Sequence, residues 1–424
     1  MSPPNQENPN INYFNHLNKR KLQRRRIKKF IGRPFGWLRR LLLRPVASLL
    51  TSRGLLLFVV SNPHRIGHLI SEPDWILKQI VLGERAPANK IMLLQPGHKK
   101  SANKAVLDLW RPHMDIVTSK WFYRCLNLFR DFPDLTIYGA DGILPTEGAT
   151  DYSRVLAKWG DRDPLVKLTK QDIDIGQQTL ADLGVPQDAW FVCLHVREGG
   201  YSPKDDFIHA YRNASVDTYA AAAREIAARG GWTIRMGDPT MTPLALEGAN
   251  AKTWPNTIDY ACSKLKSESA DLFFCSTAKF FLGTVSGLTN VASTFGVPSV
   301  LVNMIPHSDA LGYGPEDIAI TKLLARADGK LIPFAEIFQT EIGLYRAADL
   351  FKAANLTIID NSAEEISETI VEMLNRLDGM LDPPTTRDTK LYECFRSLIG
   401  AEHLCYHSEG SVGRAFLRRH QNLL

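Results

Sequence analysis

The sequence predicts an α/β protein built from two doubly wound, Rossmann-like domains. Three observations predict it. The chain has 424 residues, too many for one ordinary core and about right for two domains of roughly 150–200 residues each. Short apolar runs alternate with amphipathic stretches from residue 55 onward, the pattern of a parallel sheet covered by helices. The second half carries a clear βαβαβ succession.

The elements follow in order. Leu55 to Ser61 (LLLFVVS) is apolar and stops at Asn62-Pro63, so it reads as a buried strand ending in a turn. A helical stretch through Ser71, Glu72 and Trp75 comes next. Ile91–Leu94 is a second strand, and Asn103–Trp110 a helix. Residues 111–185 yield no clear succession except a linking helix over Asp172–Leu183. Trp190–Val196 is a buried strand, followed by a long polar loop from Arg197 to about Ser215. Asp217–Arg229 is a helix stopped by Gly230-Gly231. Trp232–Met236 is a strand ending in Gly237-Asp238-Pro239. Ser269–Ala278 is assigned to helix. Lys279–Thr284 is a strand. Leu288, Val291, Ala292 and Phe295 then fall at helical spacing, making Gly287–Phe295 an amphipathic helix. Gly296-Val297-Pro298 ends it, and Ser299–Asn303 is the next strand.

Composition excludes several classes. Hydrophobic content is 44 % and charged content 23 %, ordinary for a globular protein. No uncharged apolar run reaches the roughly 18 residues a membrane span needs, and no signal peptide is expected. The six cysteines are scattered, without a C-x-x-C pair or a His cluster, which argues against a disulfide scaffold and structural zinc. A reducing cytoplasm suits them. The net charge of +6 hides an asymmetry: residues 1–53 hold 13 Lys+Arg and a single acid, Glu7, a balance of +12, while the rest is mildly acidic. Within this leader a basic run (19–33) precedes a Trp/Leu-rich segment (35–50) with Leu38, Leu41 and Leu42 at helical spacing, a helix that Pro45 should break or end. Basic followed by amphipathic suits an anionic membrane surface, reached through residues 19–50. A solvated arm or a nucleic-acid contact are the alternatives. The expected organisation is a leader (1–53), a first domain (54–185), a second domain (186–378), and a tail (379–424) packing back on the first domain.

Ligands of doubly wound sheets bind beyond the carboxyl ends of the strands. His195 and Arg197 are two apart at such an end and can face one ligand, with Arg offering a fork for a diphosphate; a core His and a solvated Arg are the alternative. Tyr211, Arg212 and Asn213 lie in the long polar loop, which is either functional or a mobile surface loop. Arg235, Gly237 and Asp238 end another strand; Asp238 either accepts a sugar or ribose hydroxyl or only shapes the turn. Thr284, Ser286 and Gly287 open a helix whose free N–H groups and dipole favour a phosphate, unless Ser286 is an ordinary N-cap. This turn is neither G-x-G-x-x-G nor a P-loop, which counts against a classical dehydrogenase or an ATPase. In the first domain, His68 and Glu72 share a helix face at i, i+4, so Glu72 can orient the imidazole as a general base; a purely structural His is the alternative.

The combination HVREGGY (195–201), YRN (211–213), VDTY (216–219), RMGDP (235–239) and FFLGTVSGLTNVASTFGVPSV (280–300), with RIGHL (65–69) upstream, resembles a family of glycosyltransferases from bacterial surface-polysaccharide gene clusters. The 283–300 segment is similar to the donor-binding turn of heptosyltransferase-like enzymes. His195 and Arg197 are similar to the H-x-R pair of fucosyltransferases, except that Glu198 stands where an acid of another length is usual. The resemblance implies a metal-independent GT-B fold, with two Rossmann-like domains facing across a cleft. The first would bind a glycan or lipid-linked acceptor and the second a nucleotide sugar. The nucleotide sugar is a substrate, so no cofactor is expected, and neither is nucleic acid. His68 and Glu72 would be catalytic. His195, Arg197, Tyr211, Arg212, Asn213, Arg235, Gly237, Asp238, Thr284, Ser286 and Gly287 would hold the donor. A cytoplasmic enzyme peripheral at the inner membrane face is the corresponding location. A sugar-nucleotide epimerase of the same fold would turn over donor without an acceptor. A non-catalytic binding protein would bind it without turnover.

Overall fold

The computed structural model describes residues 37–94, 101–140, 151–200, 203–246 and 252–424. The basic run 19–33 and Tyr201 lie outside them. Four parallel strands form the first sheet: β1 (Leu55–Val59), β2 (Lys90–Leu94), β3 (Asp115–Val117) and β4 (Thr136–Tyr138), in the order β3-β2-β1-β4. Alternation along β1 sorts its side chains between two faces. Leu56 and Phe58 point into the core shared with the second domain. Leu57 and Val59 point to a separate cluster on the outer face. Helix Ile66–Val81 covers the inner face, and a helix over residues 37–52 covers the outer one.

Seven strands, all parallel, form the second sheet. They are β5 (Phe191–His195), β6 (Trp232–Arg235), β7 (Thr257–Ile258), β8 (Phe281–Gly283), β9 (Ser299–Met304), β10 (Ile318–Thr321) and β13 (Ser411–Val412), in the order β13-β10-β9-β8-β5-β6-β7. Two further strands, β11 (Leu323–Ala325) and β12 (Thr357–Ile359), pair antiparallel beside it. The protein is therefore two doubly wound, Rossmann-like units.

Strand order fixes where a ligand fits. From β5 the chain moves outward through β6 and β7, and from β8 it moves the other way through β9 and β10. The reversal between β5 and β8 opens a crevice at their carboxyl ends, the topological switch point. The first sheet reverses likewise between β1 and β4.

Two expectations are corrected, and one is extended. Residues 379–424 join the second sheet as well as reaching the first domain: β13 adds a parallel strand to β10, and Phe395, Val412, Phe416 and Leu417 join the core of that sheet, while residues 406–409 lie beside Ala157 of the first domain. The buried aromatic side chains of the tail decide this, since they complete a face that the sheet would otherwise expose. Pro45 does not end its helix, which runs through it over 37–52. A proline removes one ladder bond, and packing of Leu43, Ala47 and Leu50 on the outer face of the first sheet outweighs that loss. The stretch 197–215 is not one long loop, since it contains the helix Pro203–His209 and a 3-10 turn at Ala210–Arg212.

Candidate functional site

His68 and Glu72 come together in the first turns of helix Ile66–Val81, directly after β1. His68 Nδ1 lies 2.8 Å from Glu72 Oε1. A carboxylate only accepts, so Nδ1 carries the proton and Nε2 of the neutral ring keeps its lone pair. Glu72 is fully buried, while His68 retains 15 % of its side-chain exposure. The other carboxylate oxygen is held too: Ser61 N–H donates to Glu72 Oε2 at 2.8 Å. Ser61 Oγ in turn accepts from Ala140 N–H, just after β4. Gly139 is needed here because a Cβ at that position would lie 2.2 Å from Glu72 Oε2. Glu72 is thus clamped by the switch point of the first sheet.

The second switch point gathers positive charge. His195 ends β5 opposite Gly283 of β8. Its Nδ1 is buried and has no hydrogen-bond partner among the described residues. Burial, reinforced by Arg197, Arg235, Lys266 and Arg212, pushes the His195 pKa down from 6.5 to about 3. The ring is neutral at physiological pH chiefly because it is buried, and the cations around it add to the effect. Arg212 donates to the Val285 carbonyl at 2.6 Å, and its Nε is buried with no partner among the described residues. Burial lowers its pKa to about 10. Arg235 and Lys266 are ion-paired with Glu198, Asp259 and Asp271, whereas Arg212 donates to a neutral carbonyl, and an anion at the strand ends would complement its charge.

The two switch points meet. Helix Ile66–Val81 follows β1, and helix Gly287–Thr294 follows β8. A Cβ at Gly287 would lie 2.9 Å from the Gly67 nitrogen and 2.7 Å from Ile66 Cγ2. A Cβ at Gly67 would lie 3.0 Å from Gly287 Cα. Two glycines therefore let the amino ends of the helices touch, and both dipoles point positive ends at one locality. Apolar residues from both units continue the contact as one core.

The other sequence-predicted residues are distributed as follows. Arg235 is fully buried, ion-paired with Glu198 at 2.6 Å and Asp259 at 3.1 Å, and donates to the Thr242 carbonyl. These bonds pin the strand-end loops to each other and leave it no surface for a ligand. Glu198, whose length the motif left open, is the partner of Arg235 and also accepts from Thr242 N–H. Asp238 accepts from Thr240 N–H and shapes its own turn, with Gly237 in the left-handed region at φ 151°. Tyr211 is buried against Phe351. Asn213 bonds Asp206 through its side chain and Lys322 through its carbonyl. Thr284 Oγ accepts from Arg197 N–H at 3.0 Å, tying β8 to the loop after β5. Ser286 caps its helix by accepting from Thr289 N–H, and Gly287 abuts the first domain. Of these residues, His195, Arg197, Arg212 and Ser286 lie at the β5–β8 crevice with His68–Glu72 across the seam. Sequence reading missed Ser61 and Gly139, because β4 is only three residues long and gives no periodic signal.

Among the described residues no group of three or more His, Cys, Asp or Glu side chains gathers to hold a metal. The cysteines are unbonded. Among the described residues no helix is long and apolar enough to cross a membrane.

No family model and no curated protein matches the chain. Among solved structures it is similar to a family 9 glycosyl transferase from Veillonella parvula DSM 2008, at 13 % identity and a TM-score of 0.37, over 58 % of this chain and 80 % of that one. It is also similar to ADP-heptose lipopolysaccharide heptosyltransferase II of E. coli, at 12 % identity and a TM-score of 0.36, over 58 % and 84 % of the two chains. A UDP-N-acetylglucosamine 2-epimerase matches at 12 % identity and a TM-score of 0.32, over 78 % and 98 %. The fold assignment rests on the two parallel sheets themselves.

Proposed function

We propose that the protein is a glycosyltransferase that moves a sugar from a nucleotide-activated donor to a hydroxyl acceptor. The observation that carries this reading is the meeting of two switch points. One holds a carboxylate-oriented imidazole, and the other the buried His195 ring and Arg212 guanidinium, each with a nitrogen that has no hydrogen-bond partner among the described residues. Transfer from a nucleoside diphosphate sugar needs both functions: charge neutralisation on the departing diphosphate, and removal of a proton from the attacking hydroxyl.

In this reading the diphosphate lies beyond β5 and β8. Arg212 and Arg197 neutralise it, His195 donates through its buried ring nitrogen, and the amino end of helix Gly287–Thr294 adds N–H groups. His68 Nε2 takes the acceptor proton as the new glycosidic bond forms. Glu72 holds the ring in the basic tautomer and stabilises the imidazolium that results. The apolar seam between the units excludes water and so disfavours donor hydrolysis. The motif combination quoted above supports an acceptor among surface glycans or their lipid-linked precursors.

Arg212→Ala tests the donor half. The variant should bind nucleoside diphosphates about 10–150-fold more weakly, corresponding to roughly 1.5–3 kcal/mol for hydrogen bonds to a charged group. Calorimetric titration of the folded variant measures this. Unchanged affinity would remove the β5–β8 crevice as the diphosphate site. Consumption of nucleotide sugar without any acceptor would favour the epimerase reading instead.

A further inference from the structure

The outer face of the first domain carries a surface that sugar transfer does not use. Helix 37–52 seats Leu43, Ala47 and Leu50 on the first sheet. Its opposite side is apolar as well, and it is exposed: Trp37 is 66 % and Leu42 68 % accessible, with Leu41 and Leu49 beside them. Helix Lys120–Leu126 is built the same way. Leu126 is buried in the same cluster, while Trp121 is 72 % exposed and Phe122 40 %. An ion pair between Arg39 and Asp131 ties the first element to the segment that follows the second. Two segments some eighty residues apart in sequence therefore present tryptophans and leucines from one side of the sheet. That side faces away from the second domain, because alternation along β1 sends the inner-face residues to the shared core.

Charge identifies the occupant. Residues 37–53 contain Arg39, Arg40, Arg44 and Arg53 and no acid, and residues 120–131 contain Lys120, Arg124 and Arg130 against the single acid Asp131, which pairs with Arg39 and Arg130, so the balance stays positive. Exposed indole and leucine side chains among cations match the boundary between acyl chains and anionic headgroups. A second copy of the chain is a poor fit, since the face would meet its own positive charge. An aqueous polyanion would satisfy the cations but leave Trp37, Trp121 and Leu42 in water.

We propose that helix 37–52 and helix Lys120–Leu126 together form a docking platform for an anionic lipid bilayer, entered by Trp37, Leu42, Trp121 and Phe122. The platform stands apart from the transferase reading, because vesicle binding requires neither donor nor acceptor. It places the first domain, where the acceptor would bind, against the lipid surface.

Co-flotation of the full chain with vesicles of phosphatidylglycerol mixed with phosphatidylcholine tests it. The wild type should partition onto these vesicles and much less onto phosphatidylcholine alone. Added salt should weaken the binding. Trp121→Glu/Phe122→Glu in the full chain should lower partitioning by about tenfold or more, since it replaces two inserted aromatics with acids that the surface repels. Both positions are exposed and distant from the donor crevice, so the melting temperature and nucleoside diphosphate affinity should stay at wild-type values. Tryptophan emission should shift to the blue on vesicle binding in the wild type. Unchanged partitioning of the double variant would overturn the platform and assign all binding to the basic leader. Equal binding to neutral and anionic vesicles, or binding to neither, would overturn it as well. Self-association abolished by the double variant, without lipid binding, would mean that the face is a contact between copies.

Discussion

His68→Ala is expected to lower the turnover of sugar transfer by about 10²–10⁴-fold, the usual contribution of a positioned general base, while donor affinity stays within a factor of about two of the wild type. The split between the two readouts is what the geometry dictates. His68 belongs to the first unit, and its Nδ1 is committed to the buried Glu72. The donor, in this account, is held by the second unit. A second variant sharpens the test. Glu72 accepts on both oxygens, one from Ser61 N–H and one from His68 Nδ1–H. In Glu72→Gln only one oxygen remains. It faces the fixed Ser61 N–H, so the amide NH₂ turns to His68. That donor forces Nδ1 to accept and moves the ring proton to Nε2, where the basic lone pair was. Glu72→Gln should therefore lose most of the activity that His68→Ala loses, with the fold intact by circular dichroism. Near-normal turnover in His68→Ala would place the base elsewhere. A large loss of donor affinity would mean that His68 reaches the phosphates.

Asp74→Ala should destabilise the fold by about 3–5 kcal/mol, the cost of leaving a buried charge without its partner. Asp74 lies two residues beyond Glu72 on the same helix and is fully buried. Its Oδ2 accepts from Lys78 Nζ at 2.7 Å and from Tyr152 OH at 3.0 Å. Burial pushes its pKa up, and Lys78 pulls it back. Lys78 is only 3 % exposed, with the Trp159 ring 5.3 Å from its ammonium. Deleting the carboxylate strands that ammonium where water barely reaches. Asp74→Leu/Lys78→Met replaces the pair with apolar groups and should recover most of the loss. Urea unfolding of both variants gives the comparison. A loss below about 1 kcal/mol in Asp74→Ala would indicate a pair solvated like a surface one. The Lys78 side chain lines a cavity of about 350 Å³ between the units, with Trp159 and Tyr313 also on its wall.

How much of this was legible in the sequence depends on element length and on partners. The apolar runs at 55–61, 190–196, 232–236 and 299–303 became β1, β5, β6 and β9 because fully buried parallel strands need no alternation to be recognised. The helix at Gly287–Thr294 was fixed by its spacing and by Ser286 as cap. β3 and β4, at three residues each, and β13, at two, are too short for periodicity to register, and they are assigned by pairing alone. This is why the first domain resisted a full reading, and why the strand that the tail adds to the second sheet was not foreseen. In the candidate site, the i, i+4 spacing of His68 and Glu72 was visible in the sequence. The clamp on Glu72 from Ser61 and Gly139 was not, because it depends on strand order. Arg235 looked like a donor ligand because it precedes a strand-end turn. Its two acids, Glu198 and Asp259, lie 37 and 24 residues away, beyond what local pattern can pair. Gly287 looked like a phosphate seat, yet its neighbour is Gly67, contributed by the other unit.

The most direct test of the account is amide hydrogen exchange with and without a saturating nucleoside diphosphate. Exchange resolves which backbone segments a ligand covers. Protection is expected to be confined to residues 195–213 and 284–290, the two sides of the β5–β8 crevice, in the wild type and equally in His68→Ala. Protection should be reduced in Arg212→Ala at a ligand concentration that just saturates the wild type. Protection centred on residues 61–72 instead, or no protection by any nucleoside diphosphate, would contradict the placement of the donor on which the proposed transfer rests.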